Sequence, residues 1–191
     1  MITEIRLYYE GDKRLTPGFS EFFSELRKAA RNNRCGFRLI ATGATPCEDF
    51  GNAIASHPGA WNILLLDSDC PDDGRLTSAL ISRYGWSESL EGSIFWMVEM
   101  MESWFHADKK ALGRYYGKRF KEGALAPNPN VEQIPKRDLK NGLKAATRDT
   151  QKGPYHKTHH APALLESIDP LLVCAAAINC RRLFEAVRTG L

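Results

Sequence analysis

Two aspartates, Asp67 and Asp69, have the clearest potential for chemistry because they directly follow the short apolar run of residues 63–66. A run this short, closed by turn-forming residues, is typical of a strand buried on both faces in a parallel sheet. The carboxylates would then emerge at the carboxyl end of the strand, where open α/β sheets place their sites. Two acids at this spacing project from the same side of an extended chain and suit a hard cation such as Mg²⁺.

A solvated turn is the competing interpretation of residues 67–73. In that case Asp69 or Asp72 would cap the helix expected near residues 76–84. Isolated Asp-x-Asp triplets are common, so the surrounding elements have to decide between the two interpretations.

A third carboxylate, Glu10, ends the first predicted strand at residues 3–10, and Gly11 allows the chain to turn away tightly. A metal site centred on Asp67 would need such a neighbour. Without Asp67, a plain turn from strand to loop would be the simpler interpretation.

Strands and helices alternate along the first half of the chain. This order predicts right-handed crossovers and an α/β fold with a mainly parallel four-stranded sheet flanked by helices. The strands are expected at residues 3–10, 36–42, 62–67 and 92–98, and the helices at residues 17–33, 45–56 and 76–83.

Two glutamates follow the fourth predicted strand. Glu99 and Glu102 are three residues apart, so on a helix they would share one face and could overlook Asp67 and Asp69. The nearby methionines and aromatic residues are expected to belong to the core.

Charge is distributed unevenly along the 191 residues: residues 1–108 contain 10 Lys and Arg against 16 Asp and Glu, and residues 109–191 contain 16 against 7. We predict a core at residues 1–108 and a helical, basic extension at residues 109–191, packed together as one compact unit. An acidic half that holds metal and a basic half that holds phosphate suit an enzyme acting on a polyanion, although solvated charges distributed by chance would look similar. Within the basic half, Lys136, Lys140 and Lys144 lie along one edge of a helix predicted at residues 136–149.

Three histidines and a lysine occur in the turn-rich segment at residues 153–160. His156, Lys157 and His160 could ligate metal, move protons or contact phosphate. The alternative is an exposed loop that caps the next helix through Thr158. The chain then continues with a helix predicted at residues 170–187, with Leu172, Ala176, Leu183 and Val187 facing the core.

The five cysteines are scattered and odd in number, which argues against a disulfide framework or a zinc ribbon. Cys174 and Cys180 are expected to be helix-packing residues. No stretch approaches the roughly 20 apolar residues of a membrane helix, and the amino-terminal residues lack a signal-peptide pattern. We therefore expect a cytoplasmic protein with no membrane partner.

Several stretches together resemble a Toprim-like family catalogued as domain of unknown function 4276. The resemblance spans nearly the whole chain and is much more specific than any one of its pieces. It is carried by YYEG, LLLDSD, FWMVEMMESWFHAD, YHKTHHAPALLESIDP and NCRR, which begin at residues 8, 64, 95, 155 and 179.

This resemblance implies a Toprim-like, Rossmann-like sheet whose first strand is followed by a Glu and whose third is followed by Asp-x-Asp. Glu10, Asp67 and Asp69 match these positions and would hold Mg²⁺ or Mn²⁺. Looser matches are Glu99 or Glu102 for a further acid and Lys157 for the lysine of related nucleases. The chain departs from the pattern at Arg14, where such nucleases commonly have a second acid. Two alternatives stay open: Asp12 substitutes for that acid, or one of two metal positions is weakened.

The function implied is a metal-dependent nuclease, the effector of a bacterial anti-phage defence system working with an ABC-type ATPase, through which it could oligomerise. Lys157 would stabilise developing charge, and His156 or His160 would protonate the leaving oxygen. The nucleic-acid backbone would be contacted by Lys136, Lys140, Lys144, Arg181 and Arg182. Two alternatives stay open: a non-catalytic binding partner of an ATPase or nucleic acid, and an Asp-x-Asp glycosyltransferase.

Overall fold

The computed structural model describes residues 2–191 and contains a four-stranded sheet in which every neighbouring pair is parallel. The strand order is β2-β1-β3-β4, so β1 and β3 are the two inner strands. This confirms the predicted α/β fold and the inner position of the strand that leads to Asp67. The strands are β1 (Glu4–Tyr9), β2 (Gly36–Ala41), β3 (Trp61–Asp67) and β4 (Ile94–Met97).

Helices connect the strands and make up most of the chain after β4. Residues 121–135 contain short 3₁₀ turns. The helices are α1 (Thr16–Phe22), α2 (Ser24–Asn32), α3 (Pro46–Ser56), α4 (Leu76–Tyr84), α5 (Glu102–Ala107), α6 (Lys109–Tyr116), α7 (Lys136–Thr147), α8 (Lys157–Ser167), α9 (Pro170–Ala176) and α10 (Ile178–Gly190).

Helices cover both faces of the sheet, and β3 is therefore buried on both sides. Leu64 and Leu66 belong to a cluster with Phe50 of α3, whereas Ile63 and Leu65 belong to a second cluster on the other face. Successive residues of a strand point to opposite faces, so a fully covered sheet requires the unbroken apolar run that the sequence contains.

The helices after residue 108 share the larger of these clusters with the sheet. Leu165 of α8 and Leu183 of α10 are buried in the same cluster as Phe22 of α1 and Trp104 of α5. The boundary predicted at residue 108 falls between α5 and α6 and stays a prediction.

Gly18 allows α1 and α8 to pack closely. A Cβ at this position would lie 2.5 Å from the Pro162 carbonyl oxygen and 2.6 Å from the Leu165 Cβ. Because α8 begins with Lys157, this contact helps to fix the position of that lysine.

The prediction of a single helix at residues 17–33 is wrong, since Phe23 separates α1 from α2. The Phe23 ring is fully buried and packs against Phe19, Phe22 and Phe184. These contacts with the rest of the core accompany a backbone conformation outside the regular helix.

The helix predicted at residues 170–187 is also divided, because Ala177 adopts an extended conformation between α9 and α10. The new helix start is capped by Glu132, whose Oε1 accepts a hydrogen bond of 2.8 Å from the Asn179 N–H. Leu183 and Val187 are buried as expected, but Leu172 is 45% exposed, so its predicted core position is wrong.

No helix in residues 2–191 is long and apolar enough to cross a membrane.

Candidate active site

The carboxyl ends of β1 and β3 bring Glu10 and Asp67 together. The Asp67 backbone N–H donates a hydrogen bond of 3.2 Å to Glu10 Oε2, and the Glu10 N–H donates one of 3.0 Å to the Leu65 carbonyl. Burial raises the pKa of Glu10, although the hydrogen bond from Asp67 acts in the opposite direction.

Asp67 lies at the bottom of the site, with its side chain only 10% exposed. Its Oδ1 accepts a hydrogen bond of 2.7 Å from the Met101 N–H, and its Oδ2 lies 3.4 Å from Lys157 Nζ. Burial raises the pKa of Asp67 to about 6, although Lys157 opposes this shift. The ionised carboxylate is therefore held in an environment that disfavours its charge.

Glu102 lies beside Asp67 and is even more deeply buried, at 2% exposure. Its Oε1 accepts a hydrogen bond of 2.8 Å from the Tyr155 hydroxyl, whereas its Oε2 is buried without a hydrogen-bond partner. Lys157 Nζ lies 3.9 Å from that oxygen. Burial lowers the pKa of Lys157, but the carboxylates of Glu102 and Asp67 outweigh this effect and raise it overall.

Asp69 occupies a different environment, at the exposed edge of the site. Its backbone has a positive φ of 57°, which is uncommon for a residue other than glycine. The side chain is 65% exposed and forms an ion pair with Lys136 Nζ at the start of α7.

An open cavity of about 500 Å³ joins these groups to the basic helix. The row of Lys136, Lys140 and Lys144, predicted to lie along one edge of a helix, lines the same cavity as the acids. The lining residues are Glu10, Asp67, Asp69, Met100, Glu102, Lys136, Lys140, Lys144, Tyr155, His156 and Lys157.

Glu99 does not belong to this arrangement, and its predicted place on a helix face shared with Glu102 is wrong. It precedes α5 in a left-handed conformation with φ of 64°, and its N–H donates to Ser68 Oγ at 2.7 Å. Its buried Oε2 accepts a hydrogen bond of 3.0 Å from the Lys136 N–H, so Glu99 caps α7. Glu99 thus positions the first lysine of the row.

The histidine segment is helical from Lys157 onwards, and the side chain of the predicted cap, Thr158, does not cap α8. His156 is exposed and lines the cavity. His160 is occupied elsewhere: its Nδ1 accepts a hydrogen bond from the His156 N–H and lies 3.0 Å from the Tyr116 hydroxyl oxygen. Burial lowers the pKa of His160, which favours the neutral ring.

Three other predicted residues lie apart from the cavity lining. Asp12 is exposed and forms an ion pair of 2.9 Å with Arg14, so it does not supply the missing second acid. Arg182 lines a separate cavity of about 390 Å³, and Arg181 is exposed on α10.

Within residues 2–191, no group of three or more His, Cys, Asp and Glu side chains is arranged to hold a metal ion. The charges nevertheless fit, because Glu10, Asp67 and Glu102 surround one ammonium group and leave Glu102 Oε2 without a hydrogen bond. Asp67, Glu10 and Asp69 would hold the metal, with Glu102 beside them. In the structure, Lys157 neutralises Asp67 and Lys136 neutralises Asp69.

Sequence reasoning missed Tyr155, which fixes the orientation of Glu102. The only available signal was its position two residues before Lys157. The contact joins residues 53 positions apart, which local periodicity does not reveal.

A family model described as Domain of unknown function (DUF4276) matches residues 12–188 of the chain. No curated protein matches the sequence. No solved structure matches it either.

Proposed function

The chain belongs to the family of domain of unknown function 4276, whose description assigns no activity, so we propose a function from the site itself. The proposed function is that of a Mg²⁺- or Mn²⁺-dependent nuclease that hydrolyses phosphodiester bonds. The observation that carries this proposal is the buried pair of Asp67 and Glu102, which faces a single ammonium group at the end of an open cavity lined with lysines. We also propose that the sheet is of the Toprim type, since Glu10, Asp67 and Asp69 lie at the carboxyl ends of the first and third strands.

The buried carboxylates support a role in chemistry because a charged acid without full hydrogen bonding is unfavourable in a protein interior. Such an arrangement is retained most readily where a cation or a reacting group compensates for the charge. A divalent cation, when bound, would supply Lewis acidity and activate a water molecule.

The remaining residues would act on the substrate. Lys157 Nζ would neutralise charge that develops on the phosphate, while Tyr155 would hold Glu102 in place. His156, exposed in the cavity lining, is the better candidate for protonating the leaving oxygen, since His160 is engaged with Tyr116. Lys136, Lys140 and Lys144 would contact backbone phosphates without selecting bases.

A second candidate is a non-catalytic partner that binds nucleic acid or an ATPase. The ion pairs of Lys136 with Asp69 and of Lys157 with Asp67 favour it, since each lysine already neutralises an acid. Arg14 at the position of the second acid agrees with this candidate. In both cases we propose a cytoplasmic protein, and an ABC-type ATPase is the proposed partner of a defence nuclease.

The test is cleavage of plasmid, single-stranded DNA and total RNA in Mg²⁺ or Mn²⁺. We expect wild-type protein to cut at least one substrate and Asp67→Asn and Glu10→Gln to lose this activity. Asp12→Asn is the matched control, since it removes an exposed carboxylate outside the cavity. A wild-type protein that stays inert, also after addition of an ABC-type ATPase as the proposed partner, would favour the non-catalytic binding role instead.

A further inference from the structure

Cys174 and Cys180 lie on either side of the break between α9 and α10. Their Sγ atoms are 3.8 Å apart, although the residues belong to different helices. The extended conformation of Ala177 permits this approach by turning the chain between the helices. The other cysteines lie in separate parts of the fold, with Cys70 exposed in the loop after β3.

The two thiols differ in access to solvent. Cys174 is half-buried, whereas Cys180 is only 1% exposed. The hydrogen bond with Cys180 lowers the pKa of Cys174, and burial raises the pKa of Cys180. This division matches a pair in which an accessible thiolate attacks an oxidant and a protected thiol resolves the product.

We propose that Cys174 and Cys180 form a reversible disulfide with a peroxide or a small disulfide as the oxidant. A disulfide requires a separation of about 2.05 Å between the sulfur atoms, so they have to move together by less than about 2 Å. With hydrogen peroxide, the Cys174 thiolate attacks one oxygen to give a sulfenic acid, and the other oxygen leaves as hydroxide. Cys180 then displaces the sulfenic oxygen as water, so that two thiols and one peroxide give one disulfide and two waters.

The bond would close a short loop around Ala177 and fix the start of α10. Asn179, adjacent to Cys180, donates from Nδ2 to Asp72 Oδ2 at 3.2 Å and from its backbone N–H to Glu132. The disulfide therefore fixes a segment that contacts the loop beyond Asp69. This site is separate from the proposed nuclease chemistry.

The test exposes the full chain to hydrogen peroxide or oxidised glutathione, then counts free thiols after unfolding and maps disulfide-linked peptides by mass spectrometry. We expect wild type to lose two of its five thiols, to yield a peptide that contains both Cys174 and Cys180 and is lighter than its reduced form by two hydrogen atoms, and to recover both thiols with dithiothreitol. Cys174→Ser and Cys180→Ser should each abolish this linkage, whereas Cys70→Ser should retain it.

A wild-type chain whose Cys174 and Cys180 stay reduced, while exposed Cys70 becomes oxidised, would overturn the proposal. Linkage between different molecules would also overturn it. Circular dichroism of both serine variants, compared with wild type, ensures that a missing linkage reflects chemistry and not loss of the fold.

Discussion

The two aspartates of the Asp-x-Asp triplet lie two residues apart but in contrasting environments. Asp67 belongs to what we call the buried half of the site, made of Asp67, Glu102 and Tyr155, and its side chain is 10% exposed. Asp69 belongs to the exposed half, made of Asp69, Lys136, Lys140 and Lys144, and its side chain is 65% exposed. Identical residue types therefore have different physical roles.

The difference follows from where β3 ends. Asp67 is its last residue and contacts Met101 and Lys157, whereas Asp69 lies beyond the strand in a left-handed turn. Electrostatic interactions are strong where water is excluded and weak where it is present. The buried half should therefore govern chemistry, and the lysines of the exposed half should govern substrate attraction.

The largest expected effect comes from replacing each of the two aspartates separately by asparagine. Asp67→Asn should reduce kcat/KM for nucleic-acid cleavage about 100-fold or more, since it removes a desolvated ligand. Asp69→Asn should reduce it only about 10-fold, because solvent already screens its charge. Equal losses in steady-state assays of the two variants would remove the distinction between the halves.

The raised pKa of Asp67 predicts a pH dependence of stability without metal. The folded state binds the Asp67 proton more tightly than the unfolded state does. The contribution of Asp67 to the free energy of unfolding is therefore largest below pH about 4. It is lost as pH rises from about 4 to about 6, the pKa in the folded protein, by up to about 3 kcal/mol.

Urea unfolding of wild type and Asp67→Asn at a series of pH values isolates this contribution. The free energy of unfolding of wild type should fall relative to that of the variant across this range. A difference between the two proteins that stays constant with pH would show that Asp67 is not desolvated.

Gly18→Ala tests whether helix packing holds the buried half together. The new Cβ would contact α8 at 2.5 Å, so we expect a loss of about 1 to 3 kcal/mol in the free energy of unfolding. Cleavage should fall as well, because α8 carries Lys157. Gly123→Ala is the control, since its Cβ would meet no atom within 4 Å; equal stability of the two variants would contradict the close packing.

The smallest effect is expected at the far end of the exposed half. Lys144→Ala should raise KM about threefold and leave kcat unchanged. The slope of log affinity against log salt concentration should become shallower by about one, since one phosphate contact is lost. Binding measured by fluorescence anisotropy over a range of salt concentrations checks this. A fall in kcat would show that Lys144 takes part in the catalytic step. The control is Lys118→Ala, which removes a lysine outside the cavity lining.

The sequence predicted the elements whose signals are local. The apolar run before Asp67 indicated an inner strand, and the spacing of Lys136, Lys140 and Lys144 indicated one helix face. Breaks at Phe23 and Ala177 were not predictable in this way, because they coincide with contacts to Phe184 and Glu132 from distant segments.

The same reason explains the errors within the site. Glu99 and Glu102 have helical spacing, yet the left-handed turn at Glu99 directs one acid to α7 and leaves the other beside Asp67. The partnership of Tyr155 with Glu102 depends on how α8 packs against α5, which the sequence pattern does not encode locally.

The most direct test of the central claim is calorimetric titration of Mn²⁺ into wild type and Asp67→Asn at about pH 7.5. We predict one saturable binding event in wild type that is weakened at least about 10-fold in Asp67→Asn, and only slightly in the Asp12→Asn control. Equal binding in all three proteins, or none in wild type, would contradict a metal-dependent site built on the buried half.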